Sequence, residues 1–404
     1  MHVALINFAG SRHALLLLLL ALGACAPTAR AACAVQSSPV AHNHVSASFG
    51  APADGAAAPY SIALWGDSLT ASRDFIDAAL GAHGIAAATV LPSYIAAGMQ
   101  LAGRQASLKA SCATEGWQTA YAYKEKAAGA EFSKGMLSMR AQRPGEMLAL
   151  DFRAPTPSTR VRQLTMFYDK PQPDSSLLLA VSADNGAETL ISLTAKTGHS
   201  VTLLPDQPLA TLRLRVVSGS MTLHGFAPQY VARPRLLLDV FSVPGSVMQG
   251  WSKVGQRFAG EPGAALDYRM VLVQYGTNEG AASDFTRAVY ARNLRSSLGR
   301  LREVYPRARC VLIGPPDRGV SAGAGAPLKF SNVHHQIALA QREIAGEFAC
   351  EFWDWQTAMG GPGSALRWSR LTPPQMQQDL THLTAKGYQL SGQLFADDIP
   401  LSIP

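Results

Sequence analysis

The chain has 404 residues, 48% hydrophobic and 16% charged, which suits a globular protein with room for two domains or one domain carrying an insertion. Its formal charge of +7 is spread thinly, and no lysine or arginine cluster interleaves with aromatics, which argues against nucleic-acid binding. A mild basic excess would suit an anionic cell-wall polymer but is weak evidence for one.

The first residues read as a secretory signal. Arg12 and His13 precede an apolar run at 15–20 that is too short to span a bilayer. Two processing sites compete. Leu22-Gly23-Ala24-Cys25 resembles the lipobox of bacterial lipoproteins, whose cysteine is acylated, whereas Ala29-Arg30-Ala31 fits ordinary cleavage. The lipobox is the more constrained pattern. Residues 1–24 are therefore expected to be a lipoprotein signal, Cys25 the lipidated residue, and the mature protein periplasmic and membrane-anchored. Residues 25–59, rich in Ala, Ser, Pro and Gly from 36 onward, are expected to be a flexible tether, with His42 and His44 solvated.

Residues 61–65 then form an apolar run that reads as a buried strand ending at Gly66, with Ser68 two residues later. A capped amphipathic helix is predicted over 72–80, closing near Gly81. Strand, tight turn, serine, helix is how an α/β protein presents a nucleophile at the carboxyl edge of its sheet. The bland alternative is a βα turn in which Ser68 merely caps a helix. From 105 to 231 the character changes to short alternating runs at 163–168, 176–182, 189–194, 212–216 and 221–226, punctuated by Pro, Asp and Asn185-Gly186. That is the pattern of a small β-sandwich, which either covers the main sheet or holds a polymeric substrate. Trp117, Phe167 and Tyr168 are its candidate sugar platforms.

Beyond residue 231 the strand–helix rhythm returns. Strands are predicted near 235–243, 268–275, 311 and 351, with helices at 246–258, 284–304, 332–347 and 385–395. Such alternation gives a doubly wound, mainly parallel α/β sheet, which binds ligands beyond the carboxyl ends of its strands. Ser68, Gly245 and Asn278 all fall at that edge. Cys310 and Cys350 open two successive parallel strands and are expected to form a disulfide, leaving Cys33 and Cys112 to pair by elimination.

Ester hydrolysis by a serine needs a base, a group that orients the base, and donors for the developing oxyanion. Asp379 and His382 stand three residues apart just before the last helix, so one turn can set the carboxylate against the imidazole. Gly245 can offer a backbone N–H without side-chain obstruction, Asn278 a side-chain N–H and Ser68 its own backbone N–H. Glu279 has no assigned role. His334 and His335, at a predicted helix start, are expected on the surface.

Together Gly66-Asp67-Ser68-Leu69, Gly245, Gly276-Thr277-Asn278-Glu279 and Asp379-Leu380-Thr381-His382 resemble the four blocks of the SGNH/GDSL hydrolases. A finer resemblance is to the periplasmic peptidoglycan O-acetylesterases, through Gly250-Trp251-Ser252-Lys253, Phe352-Trp353-Asp354-Trp355 and His382-Leu383-Thr384-Ala385-Lys386-Gly387-Tyr388. The resemblance implies a three-layer α/β/α, flavodoxin-like hydrolase domain at 60–104 and 232–404, with an inserted carbohydrate-binding-module-like β-sandwich at 105–231. It implies Ser68 as nucleophile, His382 as base, Asp379 as its orienter, and Ser68, Gly245 and Asn278 as the oxyanion hole, without metal or cofactor. The implied reaction removes acetyl groups from the 6-hydroxyl of N-acetylmuramic acid in peptidoglycan strands. A secreted esterase for another acetylated polysaccharide, a lysophospholipase or a thioesterase would share these blocks.

Overall fold

The structure is a computed structural model that describes residues 42–49, 59–98, 108–127, 129–153, 159–184, 186–255, 268–320 and 328–403. The signal, Cys25 and Cys33 lie outside these residues.

A six-stranded sheet carries the site. Its strands are β1 (Tyr60–Gly66), β2 (Val90–Leu91), β3 (Leu236–Val240), β4 (Met270–Gln274), β5 (Arg309–Ile313) and β6 (Cys350–Trp353). They run parallel in the order β6-β5-β4-β1-β3-β2, so the first strand ends at the centre of the sheet. Both faces are covered, which explains why these strands read as unbroken apolar runs. Ala63, Trp65, Val271, Val273 and Leu312 face α3 (Arg287–Val304) and α4 (Lys329–Ala345). The alternating Ile62, Leu64, Met270, Leu272 and Val311 face α2 (Asp74–Ala82) and α5 (Ala385–Asp398). Cys310 and Cys350 are register partners on β5 and β6 and are joined by a disulfide. Cys112 is also disulfide-bonded.

The remaining strands form two antiparallel sheets. One runs Val45–Ser48, Ser200–Pro205, Val161–Tyr168, Met221–Tyr230, Leu137–Ala141, Trp117–Tyr121, with Ile95–Ala96 also paired to Met221–Tyr230. The other runs Thr189–Thr194, Ser176–Ala183, Thr211–Ser218, Met147–Asp151, Ala110–Ala113. Leu164, Met166, Leu203 and Leu223 of the first meet Leu148, Leu179, Leu212 and Leu214 of the second in one core.

Several expectations are corrected here. Part of the presumed tether is structured: Val45–Ser48 is an edge strand, and buried Asn43 donates to Asp184 Oδ2 at 2.8 Å. Ile95–Ala96, placed with the hydrolase segment, pairs instead with the antiparallel unit. Trp117, Phe167 and Tyr168 are core residues, exposed by 7% or less, and cannot stack on a sugar. Of the helix expected at 246–258, the described residues form only a 3-10 turn, Met248–Lys253, with buried Trp251 packed edge-on to Trp65 at 4.9 Å, and 256–258 lie outside them.

The antiparallel unit is locked to the parallel sheet by polar contacts as well as apolar ones. Trp65 Nε1 donates to the Lys134 carbonyl at 2.8 Å. Buried Asp239 on β3 accepts the backbone N–H groups of Ser93 (2.8 Å) and Tyr94 (2.9 Å) and the hydroxyls of Ser93 and Tyr268. Such a carboxylate is satisfied on every side, so its burial is tolerated.

Candidate active site

The serine turn follows from local chemistry. β1 ends at Gly66, where a Cβ would come within 2.1 Å of Thr70 Oγ1, so no larger residue fits. Asp67 caps the short helix α1 (Ser68–Ala71), its Oδ1 accepting Leu69 N–H at 2.9 Å, and Ser68 is the first helical residue rather than the cap. Gln274, at the end of β4, accepts from Asp67 N–H (3.3 Å) and Thr70 Oγ1 (3.3 Å). Burial pushes the Asp67 carboxyl up to about 6, against the pull of Leu69 N–H and Gln274.

The turn preceding α5 supplies the other two groups. Asp379 Oδ1 accepts the backbone N–H of Thr381 and of His382, both at 2.9 Å, while Oδ2 meets His382 Nδ1 at 2.6 Å. Leu380 between them takes φ +52°, the tight bend that folds the two side chains together. Burial raises the Asp379 carboxyl, but the His382 ring and these backbone donors outweigh it and hold it below the usual carboxylate range. An ionised carboxylate only accepts, so Nδ1 donates to it and, in the neutral ring, Nε2 carries the lone pair. Ser68 Oγ lies 2.9 Å from that Nε2, 314 residues away in sequence. A serine hydroxyl, an imidazole and a carboxylate in this series can pass a proton from oxygen to ring while the ring's new charge is balanced.

Ser246 ties the remaining loops to this one. Its Oγ donates to Gly66 O at 2.8 Å, and its carbonyl accepts Asn278 Nδ2–H at 2.9 Å. Gly245, beside it, is exposed with φ +80°, the left-handed region that glycine adopts at no steric cost. One Asn278 amide hydrogen is therefore used to fix the side chain, and the second remains to be donated elsewhere.

Two neighbours had no clear signal in the sequence. Glu279 is partly buried and accepts from Met248 N (2.8 Å) and Gly276 N (3.1 Å). Tyr123, from the antiparallel unit, donates its hydroxyl to Pro244 O at 3.3 Å. His334 corrects another expectation. The helix begins at Lys329, so His334 falls on its buried face, with Nδ1 donating to Pro316 O at 2.6 Å.

Burial lowers the His334 imidazole to about 4. An unfolded chain would take up a proton below about 6.5 that the folded one refuses until about 4. Stability from this group is thus complete above about pH 6.5 and is lost as pH falls towards 4, by about 3 kcal/mol. Asp67 and Glu279, whose carboxyls are raised, gain stability over the same range, so the His334 share is read as a difference: in urea unfolding at pH 7 and pH 4.5, His334→Gln should gain about 3 kcal/mol relative to the parent on acidification.

Residues 192–390 match the family model of the GDSL-like Lipase/Acylhydrolase family. The match takes in Gly245, Asn278, Asp379 and His382; the serine turn precedes it, separated by most of the antiparallel strands. No curated protein matches the chain. Among solved structures, one described as "Peptidoglycan O-acetylesterase in action, 5 min" is 19% identical, with 84% of this chain and 90% of that chain covered and a TM-score of 0.61. A carbohydrate esterase family 2 enzyme with a carbohydrate binding domain, from Corynascus thermopiles (Myceliophthora fergusii), is 14% identical over 70% of this chain and 98% of its own, at a TM-score of 0.28. A family two carbohydrate esterase from Cellvibrio japonicus is 12% identical over 60% and 89%, at 0.23. The chain carries a GDSL-like lipase/acylhydrolase domain with the SGNH hydrolase fold, and it is a carboxylic ester hydrolase.

Proposed function

We propose that the protein is a serine acetylesterase that removes O-acetyl groups from the 6-hydroxyl of N-acetylmuramic acid in peptidoglycan. The observation that carries the mechanism is the unbroken series Ser68 Oγ, His382 Nε2, His382 Nδ1, Asp379 Oδ2, at 2.9 and 2.6 Å. In this reading Ser68 Oγ attacks the acetyl carbonyl carbon as its proton passes to His382 Nε2. Oxyanion charge is met by the backbone N–H groups of Ser68 and Gly245 and the free Asn278 amide hydrogen. Collapse breaks the bond to the sugar oxygen, which takes the proton from His382. Water, deprotonated by the same imidazole, then releases acetate from Ser68.

Two things support the choice of polymer. One is the fold-level likeness to a protein described as a peptidoglycan O-acetylesterase. The other is the edge of the antiparallel unit beside Gly245, which we take to be a carbohydrate-binding-module-like β-sandwich inserted into a three-layer hydrolase. There Tyr121 and Tyr123 lie 5.8 Å apart, with the exposed Lys124 ammonium 4.9 and 5.5 Å from their rings. Aromatic faces suit sugar rings, and an adjacent cation suits the carboxylates of a cell-wall strand. The Cys25 lipobox would hold this activity at the periplasmic face of a membrane.

Acetate released from intact O-acetylated cell wall is the decisive measurement, alongside aryl esters of increasing chain length. Acetyl should be strongly preferred over butyryl. Tyr123→Ala should lower the ratio of cell-wall to aryl-acetate kcat/KM roughly three- to tenfold, the worth of one aromatic contact. Preference for long acyl chains, or no acetate from the wall, would sink the assignment.

A further inference from the structure

Glu279 closes a bond network that the proton relay does not use. Its carboxylate reaches two loops that come from different strands. Oε1 accepts the N–H of Met248, three residues past Gly245, on the loop after β3. Oε2 accepts the N–H of Gly276, two residues before Asn278, on the loop after β4. The same two loops are also joined by the Asn278 Nδ2 to Ser246 O contact, and Ser246 Oγ in turn holds Gly66, two residues before Ser68. The three loops that would furnish oxyanion donors are thus knitted together, and the carboxylate bonds both the backbone of its own loop and that of the loop after β3.

From this geometry we infer that Glu279 is the positioning residue of the oxyanion hole, fixing the spacing between the Gly245 N–H and the Asn278 amide; the inference rests on the serine-esterase reading above. A hydrogen-bond donor contributes to catalysis only if it is already aimed at the place where charge will develop, so loosening two donors costs rate rather than substrate affinity. The chemistry of the site also explains the residue type. Two converging N–H groups need an acceptor atom each, and a carboxylate supplies both. An amide supplies one and opposes the other N–H with its own. The carboxyl is retained although burial raises it to about 7, with Met248 N–H and Gly276 N–H pulling it back.

The test is aryl-acetate kinetics on the full chain for Glu279→Gln and Glu279→Ala, at a temperature well below unfolding, with Ser68→Ala as control. The expected result is a fall in kcat of roughly tenfold for Gln and a hundredfold for Ala, with KM within about twofold. Asn278→Ala combined with Glu279→Gln should lose little more than Asn278→Ala alone, because both act through one hole. An unchanged kcat with only a lower Tm, or losses that simply multiply, would overturn the positioning role. If Glu279→Ala does not fold, Glu279→Gln, which keeps the volume, carries the test. Should Ser68→Ala itself remain active, the esterase reading fails; should Ser68→Ala be dead and Glu279→Gln fully active, only the inference about Glu279 fails.

Discussion

Ser68→Ala and His382→Ala should each lower kcat for a small aryl acetate by about 10⁵- to 10⁶-fold, measured by release of the aryl alcohol. The size follows from what each loses. Without Oγ no acyl-enzyme forms; without the imidazole, Oγ stays a neutral hydroxyl, a poor nucleophile at neutral pH. The two groups act as a unit across their 2.9 Å contact, so the double variant should be about as slow as either single one. Asp379→Ala should cost less, on the order of 10⁴-fold, because the serine and base remain. The side chains of Asp379 and His382 are 48% and 37% exposed, so water can partly replace the lost carboxylate. A Ser68→Ala variant with even a hundredth of the parent kcat would end the covalent mechanism.

How much of this was legible in the sequence depended on how local the determining physics is. β4 and β5 announce themselves because both faces of a parallel sheet are buried, which leaves runs such as Met270-Val271-Leu272-Val273 with no polar break. The residue types of the site were legible for a similar reason: a serine just past such a strand, and Asp379 three before His382, carry their chemistry in one turn. Strands of the antiparallel unit were harder. Ala110–Ala113 and Leu137–Ala141 carry small or polar residues and no β-branched Val or Ile, so nothing marks them until their partners are known. Val45–Ser48 is a strand only because Ser200–Pro205 offers it an edge 158 residues away, from Ser46 to Leu204. His334 misled through an error of register. Starting the helix at 332 puts His334 in its solvent-facing first turn, whereas from Lys329 it stands in the second turn, on the buried face with Ile337 and Gln341. The links that Glu279 makes to Met248 and Ser246 makes to Gly66 were illegible in principle, since these partners are backbone atoms on other loops, and side-chain identity says nothing about where those will fall.

Asn278→Ala should lower kcat by about 10²- to 10³-fold while KM moves little, the next largest effect after the proton relay. In the resting enzyme one amide hydrogen is spent on Ser246 O at 2.9 Å, which points the other at a fixed direction before substrate arrives. That second hydrogen gains most when the carbonyl oxygen becomes an oxyanion, so the loss falls on the transition state and not on binding. Truncation also frees the Ser246 carbonyl, but Ser246 keeps its Oγ bond to Gly66, and Met248 N–H keeps Glu279, so the loop should hold its place. Asn278→Asp separates the two contributions. It preserves size yet turns a donor into an anion facing both the Ser246 carbonyl and the developing oxyanion, so it should be slower than alanine rather than faster. Equal or better activity in the aspartate variant would mean that the Asn278 amide merely holds the loop and donates nothing to the reacting carbonyl.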